Sequence, residues 1–248
     1  MANKIPATTS NGVGLKRGIV PALDLDDFDD ILRLVEATTG VEGVVAYKIG
    51  LTSVLQQGLA ESVRRIRAVS SLPILYDHQK AGLDIPTMGP KLAALAAQAG
   101  VDGLILFPLG GPSSLASFVG ASLDSGLLPI VGAELPLADY TISGGGFVAD
   151  DVLTRVIGLA TGLGVNSFVV PANAPARVRV VAQQILSTGK DPALYLPGIG
   201  ELGGTIQAAF EAAAGARTYA IIGRAIYAAA NRAEAANRLA GEALERGQ

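Results

Sequence analysis

Eight short apolar runs recur through the chain, at 18–23, 44–49, 72–77, 101–107, 128–133, 166–170, 193–196 and 218–222. Each has the length of a strand buried on both faces, and a helical pattern comes after the first of them. Residues 26–37 place Phe28, Ile31, Leu32 and Val35 on one helical face. Further helices are expected over 53–69, 91–99, 113–125, 150–161, 175–186, a short stretch ending at Phe210, and 232–244. No shift in composition marks a linker, so eight strand-helix units in one unbroken series predict a single (β/α)8 barrel, the TIM barrel, over 18–248. A polar arm over 1–17 precedes it. An open doubly wound sheet is the alternative, but its Gly-x-Gly-x-x-Gly turn after the first strand is missing, because residues 24–27 are Asp-Leu-Asp-Asp. No dinucleotide is implied.

Half of the 248 residues are hydrophobic, enough for a large core. A net charge of -3, one histidine and no run of lysine or arginine leave no broad basic face for nucleic acid or a membrane surface. The expected partner is a small molecule. The absence of cysteine excludes disulfides and thiolate catalysis and fits a reducing compartment. No apolar segment before a cleavage site is present in 1–17, and no stretch has the roughly 18 uninterrupted apolar residues of a membrane helix. A soluble, cytoplasmic protein is therefore expected.

In a barrel of parallel strands, side chains at the strand ends converge on one mouth. The residues so placed are Asp24, Lys48, Asp77, Lys80, Glu134, the glycine-rich loop 198–204 and Arg224. Lys48 lies near the end of an apolar run, where a lysine needs charged partners. The stretch 74–86 drops two acids and a lysine directly off the third strand; as an isolated pattern it also reads as a charged loop closed by Pro86. Loops after the seventh and eighth strands commonly bind phosphate through backbone N-H groups, a role that Gly203, Gly204, Gly223 and Arg224 fit; tight turns alone explain the glycines but not the arginine. The connection 135–149, with Gly144, Gly145 and Gly146, is long enough for a flexible loop or a lid.

Six segments carry a resemblance that runs from about Gly18 to the last helix. These are Pro21-Ala22-Leu23-Asp24, Tyr47-Lys48-Ile49-Gly50, Asp84-Ile85-Pro86, Leu196-Pro197-Gly198-Ile199-Gly200 with Gly203-Gly204, and Ile222-Gly223-Arg224-Ala225-Ile226-Tyr227, joined by Ser167-Phe168-Val169-Val170-Pro171. In order and spacing they resemble the orotidine 5'-monophosphate decarboxylases. The resemblance implies conversion of orotidine 5'-monophosphate to uridine 5'-monophosphate in pyrimidine synthesis, with no cofactor and no metal. It also implies roles. Asp24 would hold the ribose, and Lys48 would tie the sugar to the acid network. Asp77 would lie beside the substrate carboxylate and hold Lys80, which would stabilise charge at C6 and protonate it. Asp84 would come from the second subunit of a homodimer with shared active sites. Pro197, Gly203, Gly204, Gly223 and Arg224 complete the substrate-binding set at the phosphate end, and Glu134 joins it at the base.

The chain departs from the family pattern in three places. The family sets its first acid and its lysine two residues apart, facing one side of a strand. Here Asp77 and Lys80 are three apart, which requires a bulge or turn at His78-Gln79, and the step from Lys80 to Asp84 is one residue longer than usual. Glu134 stands where the family often has a small hydroxyl residue against the pyrimidine. Leu202 stands where it often has a glutamine near the phosphate. These departures leave two other readings open: a related barrel enzyme acting on a sugar phosphate with a divalent metal held by Glu134 and Asp77, and a catalytically inactive nucleotide-binding homologue.

Overall fold

The computed structural model describes residues 15–79 and 82–245. Its eight strands, all parallel, are β1 Arg17–Pro21, β2 Tyr47–Gly50, β3 Ile74–Asp77, β4 Gly103–Leu106, β5 Leu128–Val131, β6 Ser167–Val169, β7 Ala193–Leu196 and β8 Arg217–Ile222. They form one sheet in the order β1-β8-β7-β6-β5-β4-β3-β2. The two ends of this sheet meet. Val45 N donates to Ile19 O at 3.0 Å and Leu23 N to Lys48 O at 2.9 Å, so β1 and β2 close the sheet into a barrel. The open-sheet alternative is thereby excluded. Arg17, the last residue of the expected arm, already pairs with Thr218 in β1.

The helices are α1 Phe28–Thr38, α2 Leu51–Gln57, α3 Leu59–Arg67, α4 Met88–Ala99, α5 Pro112–Asp124, α6 Val152–Gly162, α7 Pro175–Leu186, α8 Ile206–Ala212, α9 Arg224–Tyr227 and α10 Arg232–Leu244. The side chain of Asp27 caps α1 by accepting from Asp30 N at 2.7 Å, which starts that helix two residues later than its spacing suggested. The single helix expected over 53–69 is two helices. Gly58 lies between them at φ 82°, a left-handed value glycine adopts without cost, and the chain turns there. The four-residue α9 directly after β8 was not expected from sequence.

Two apolar layers result from the alternation of strand side chains. Inside the barrel are Val20, Ala46, Leu75, Ile105, Ile130, Val169, Tyr195 and Tyr219, among others. Their neighbours along each strand, such as Ile19, Ile74, Leu104 and Leu194, face outward against the helices. Among the described residues, no helix is long and apolar enough to cross a membrane.

Candidate active site

The same alternation that fills the barrel builds its mouth. Just past β1 the inward side chain Ala22 is followed two residues later by Asp24; Ala46, just before β2, is followed by Lys48, Leu75 on β3 by Asp77, and Ile130 on β5, two steps on, by Glu134. Inward positions inside the barrel are apolar, and the next ones up are charged. All four charged residues border one cavity of about 700 Å3 at the C-terminal ends of the strands.

Lys48 is the centre of one side. Its Nζ lies 3.0 and 3.1 Å from the two carboxylate oxygens of Asp24 and 3.1 Å from Oδ2 of Asp77. The residue is buried, at 7% exposure. Burial alone would lower the pKa of this ammonium, but Asp77 and then Asp24 outweigh it, and the result lies above the usual lysine value. Lys48 is therefore a fixed positive charge. Among the described residues, the buried Asp77 Oδ1 has no hydrogen-bond partner.

Gly50 makes this packing possible. A Cβ there would lie 2.8 Å from Asp24 Oδ1 and 3.5 Å from Lys48 Nζ.

Strand β3 ends at Asp77, and the chain turns at Gln79. Gln79 borders the cavity as Asp77 does. His78 is held by the side chain of Tyr76, whose hydroxyl lies 2.8 Å from Nδ1 of its ring. Gln79 thus stands two residues past the first acid. Lys80 lies outside the described residues. Asp84 is exposed and is not part of the cavity wall; its backbone carbonyl accepts from Ser114 Oγ at 2.6 Å.

Across the mouth, Glu134 is nearly as buried as Lys48, at 9% exposure. Among the described residues, its one charged neighbour at ion-pair distance is Arg177 of α7, with Nε 3.5 Å from Oε2, and Oε2 receives no hydrogen bond. Burial, opposed by Arg177 and aided by Asp150, raises the pKa of this carboxyl above the usual glutamate value. Ile105, Phe107 and Val169 give the same cavity an apolar part of its wall.

The third side is formed by the loops after β7 and β8. Pro197, Gly223 and Arg224 border the cavity, together with Glu201, whose carboxylate pairs with the Arg224 guanidinium at 2.5 Å. Gly203 and Gly204 do not border it. Their amides close the loop on itself, Gly203 N donating to Gly200 O at 2.8 Å and Gly204 N to Gly198 O at 3.0 Å. Two of the three glycine amides expected for phosphate are thus engaged inside the loop, and Gly223 remains at the cavity. Sequence spacing did not reveal Gln79 or Glu201 as cavity neighbours, nor Arg177 as the partner of Glu134. For Gln79 the signal was available, since it comes after Asp77 at the two-residue period.

The geometry defines a (β/α)8 barrel with a charged cavity at the C-terminal mouth, the position of active sites in this class of fold. The chain belongs to the Orotidine 5'-phosphate decarboxylase / HUMPS family, whose profile matches residues 18–239. Its relatives include orotidine 5'-phosphate decarboxylases from Methanosarcina barkeri, 30% identical over 92% of this chain and 95% of that protein, and from Thermococcus kodakarensis, 28% identical over 92% and 97%. Among solved structures, the orotidine 5'-phosphate decarboxylase of Pyrococcus horikoshii superposes with a TM-score of 0.74 at 25% identity, covering 90% of this chain and 98% of that one. The orotidine 5'-monophosphate decarboxylase of Methanocaldococcus jannaschii complexed with inhibitor BMP shares the fold, with a TM-score of 0.79 at 24% identity over 92% and 99%.

Proposed function

We propose that this chain is a decarboxylase, a carbon-carbon lyase, converting orotidine 5'-monophosphate to uridine 5'-monophosphate. The observation that carries the reading is the buried Lys48 between Asp24 and Asp77 at the floor of a cavity bordered on another side by Arg224. The family membership and the names of the relatives support it.

In this reading the phosphate reaches the β7 and β8 loops, where Arg224 exchanges its internal partner Glu201 for phosphate oxygens. Asp24, fixed by Lys48, accepts hydrogen bonds from the ribose hydroxyls. The substrate carboxylate then lies toward Asp77. The bond from C6 to the carboxylate breaks, carbon dioxide leaves, and the electron pair remains on C6. The Lys80 ammonium stabilises that charge, transfers its proton to C6, and is reprotonated from solvent. Side chains supply all of this chemistry. The metal-dependent sugar phosphate reading called on Asp77 and Glu134 as ligands, yet each already faces a cation of the chain itself, Lys48 at 3.1 Å and Arg177 at 3.5 Å. That favours the decarboxylase.

Asp84 belongs to the reading as a residue donated to a second subunit's site in a homodimer. It is exposed, stands off its own cavity, and is flanked by the exposed Leu83 and Ile85.

Loss of orotate absorbance on addition of orotidine 5'-monophosphate tests the function. Turnover that persists in chelator is expected. Binding of uridine 5'-monophosphate with no absorbance change would identify a non-catalytic binder and overturn the reading.

A further inference from the structure

Glu201 borders the cavity at the end assigned to phosphate, yet the decarboxylation step gives it no role. It stands at the tip of a turn that the loop after β7 closes on itself. Gly203 N donates to Gly200 O at 2.8 Å, Gly200 N to Gly204 O at 3.0 Å and Gly204 N to Gly198 O at 3.0 Å. The backbone under Glu201 is thus fixed by its own hydrogen bonds, and its carboxylate accepts from the Arg224 guanidinium, with Nη1 2.5 Å from Oε2. Both side chains are exposed, at 61% and 62%, so parting them uncovers little buried surface. Leu202, the next residue of the turn, also borders the cavity and has no side-chain donor. The Tyr227 side chain faces the guanidinium as well. Among the described residues, Arg224 is the one cation bordering the cavity besides Lys48, which Asp24 and Asp77 already hold. An anion that comes to this end of the cavity therefore meets a cation whose partner is part of the chain.

We infer that Glu201 is a tethered competitor for the phosphate: its carboxylate takes the place on Arg224 that a phosphate oxygen needs, and so sets how strongly the site prefers a nucleotide to its nucleoside. This rests on the nucleotide reading above. A carboxylate on a closed turn is presented to the guanidinium at an effective concentration well above that of a dilute ligand. A nucleotide must displace it, and after the exchange the released carboxylate stays beside a second anion. A nucleoside meets neither cost. Because an exposed ion pair is weak, the exchange stays possible, and Glu201 lowers nucleotide affinity by a few-fold rather than closing the site. The opposite role, a brace that holds Arg224 in position for phosphate, predicts the reverse: removing the carboxylate would then weaken nucleotide binding.

The test is binding of uridine 5'-monophosphate and of uridine, by calorimetry at low and at physiological ionic strength. The wild-type chain, Glu201→Gln, Arg224→Ala and the double variant are compared, with thermal midpoints to confirm folding. Glu201→Gln keeps the size of the side chain and removes its charge. It should bind the nucleotide about three-fold or more tighter than the wild type at low salt, and bind uridine as the wild type does. Its nucleotide affinity should also fall more steeply with added salt, because the phosphate then meets a lone guanidinium instead of a neutral pair. In the Arg224→Ala background the same substitution should gain nothing, since no guanidinium remains to be contested. Unchanged or weaker nucleotide binding by Glu201→Gln, an equal gain for uridine, a salt dependence like that of the wild type, or a gain that persists without Arg224 would each overturn the inference. Because the readout is binding, absent turnover with the expected gain would sink the decarboxylase reading alone, whereas no binding of uridine 5'-monophosphate by any of the four chains would sink both.

Discussion

Lys48 could be singled out from sequence because a lysine near the end of an apolar run has few solutions besides paired burial, and it is held by Asp24 and Asp77. The role of Gly50 could not be read the same way, because it depends on Asp24 arriving from another strand. Gly50→Ala should lower turnover at least ten-fold while shifting the thermal midpoint little, since φ there is an ordinary -119° and only the Asp24 carboxylate must move. Unchanged kcat would show that the Asp24 position is not critical. Lys80→Ala should lower kcat by roughly 10²- to 10⁴-fold or more and leave affinity for uridine 5'-monophosphate nearly intact, because its charge acts on the transition state. A near-normal Lys80→Ala beside an inactive Gln79→Ala would show that the catalytic motif is misplaced, since a neutral amide cannot supply the charge or the proton. Lys48 and Tyr47 are among the buried groups that bear on the alkaline limit of stability, with Tyr195 and Tyr219 raised in the same direction by burial. Lys48 has a raised pKa in the fold, and burial pushes the Tyr47 hydroxyl up to about 12. Both hold protons in the folded chain that the unfolded chain releases from about pH 10, so their contribution is complete below that pH and is lost as pH rises through the folded values. A urea midpoint that stayed level between about pH 10 and 12 would contradict this.

At the scale of elements, the strands were legible because each is a short apolar run closed by polar residues, and the barrel order comes from their regular succession. Helix ends were less so. The break at Gly58 is a single left-handed residue inside an otherwise helical pattern, and α9 is too short for any periodicity to show. The same limit applies to the loops after β7 and β8. Glycines there suggested amides free for phosphate, yet Gly203 and Gly204 use theirs to close the turn, and the Arg224 side chain is paired with Glu201, a contact no spacing reveals. Arg224→Ala should therefore raise KM for the nucleotide about ten-fold or more, and leave binding of the corresponding nucleoside unchanged. Equal loss for nucleotide and nucleoside would remove Arg224 from the phosphate end.

For the whole molecule, the question is whether one barrel completes its own site. Asp84 comes four residues after Lys80, lies outside the cavity wall, and stands between two exposed apolar side chains, an arrangement suited to crossing into a second copy. Two inactive variants decide it. When Lys80→Ala and Asp84→Ala subunits exchange, the mixed dimer contains one site with an intact Lys80 that receives an intact Asp84 from its partner, while its other site lacks both. Random exchange makes half the dimers mixed, with one good site in two, so about a quarter of wild-type activity should return for a two-fold symmetric assembly. If Asp84 instead served its own barrel, every site in the mixture would lack one of the two residues, and nothing would be recovered. Native mass measurement confirms that exchange has occurred. An inactive mixture containing mixed dimers would place Asp84 outside any shared site, and the reading of a composite active site would fall with it.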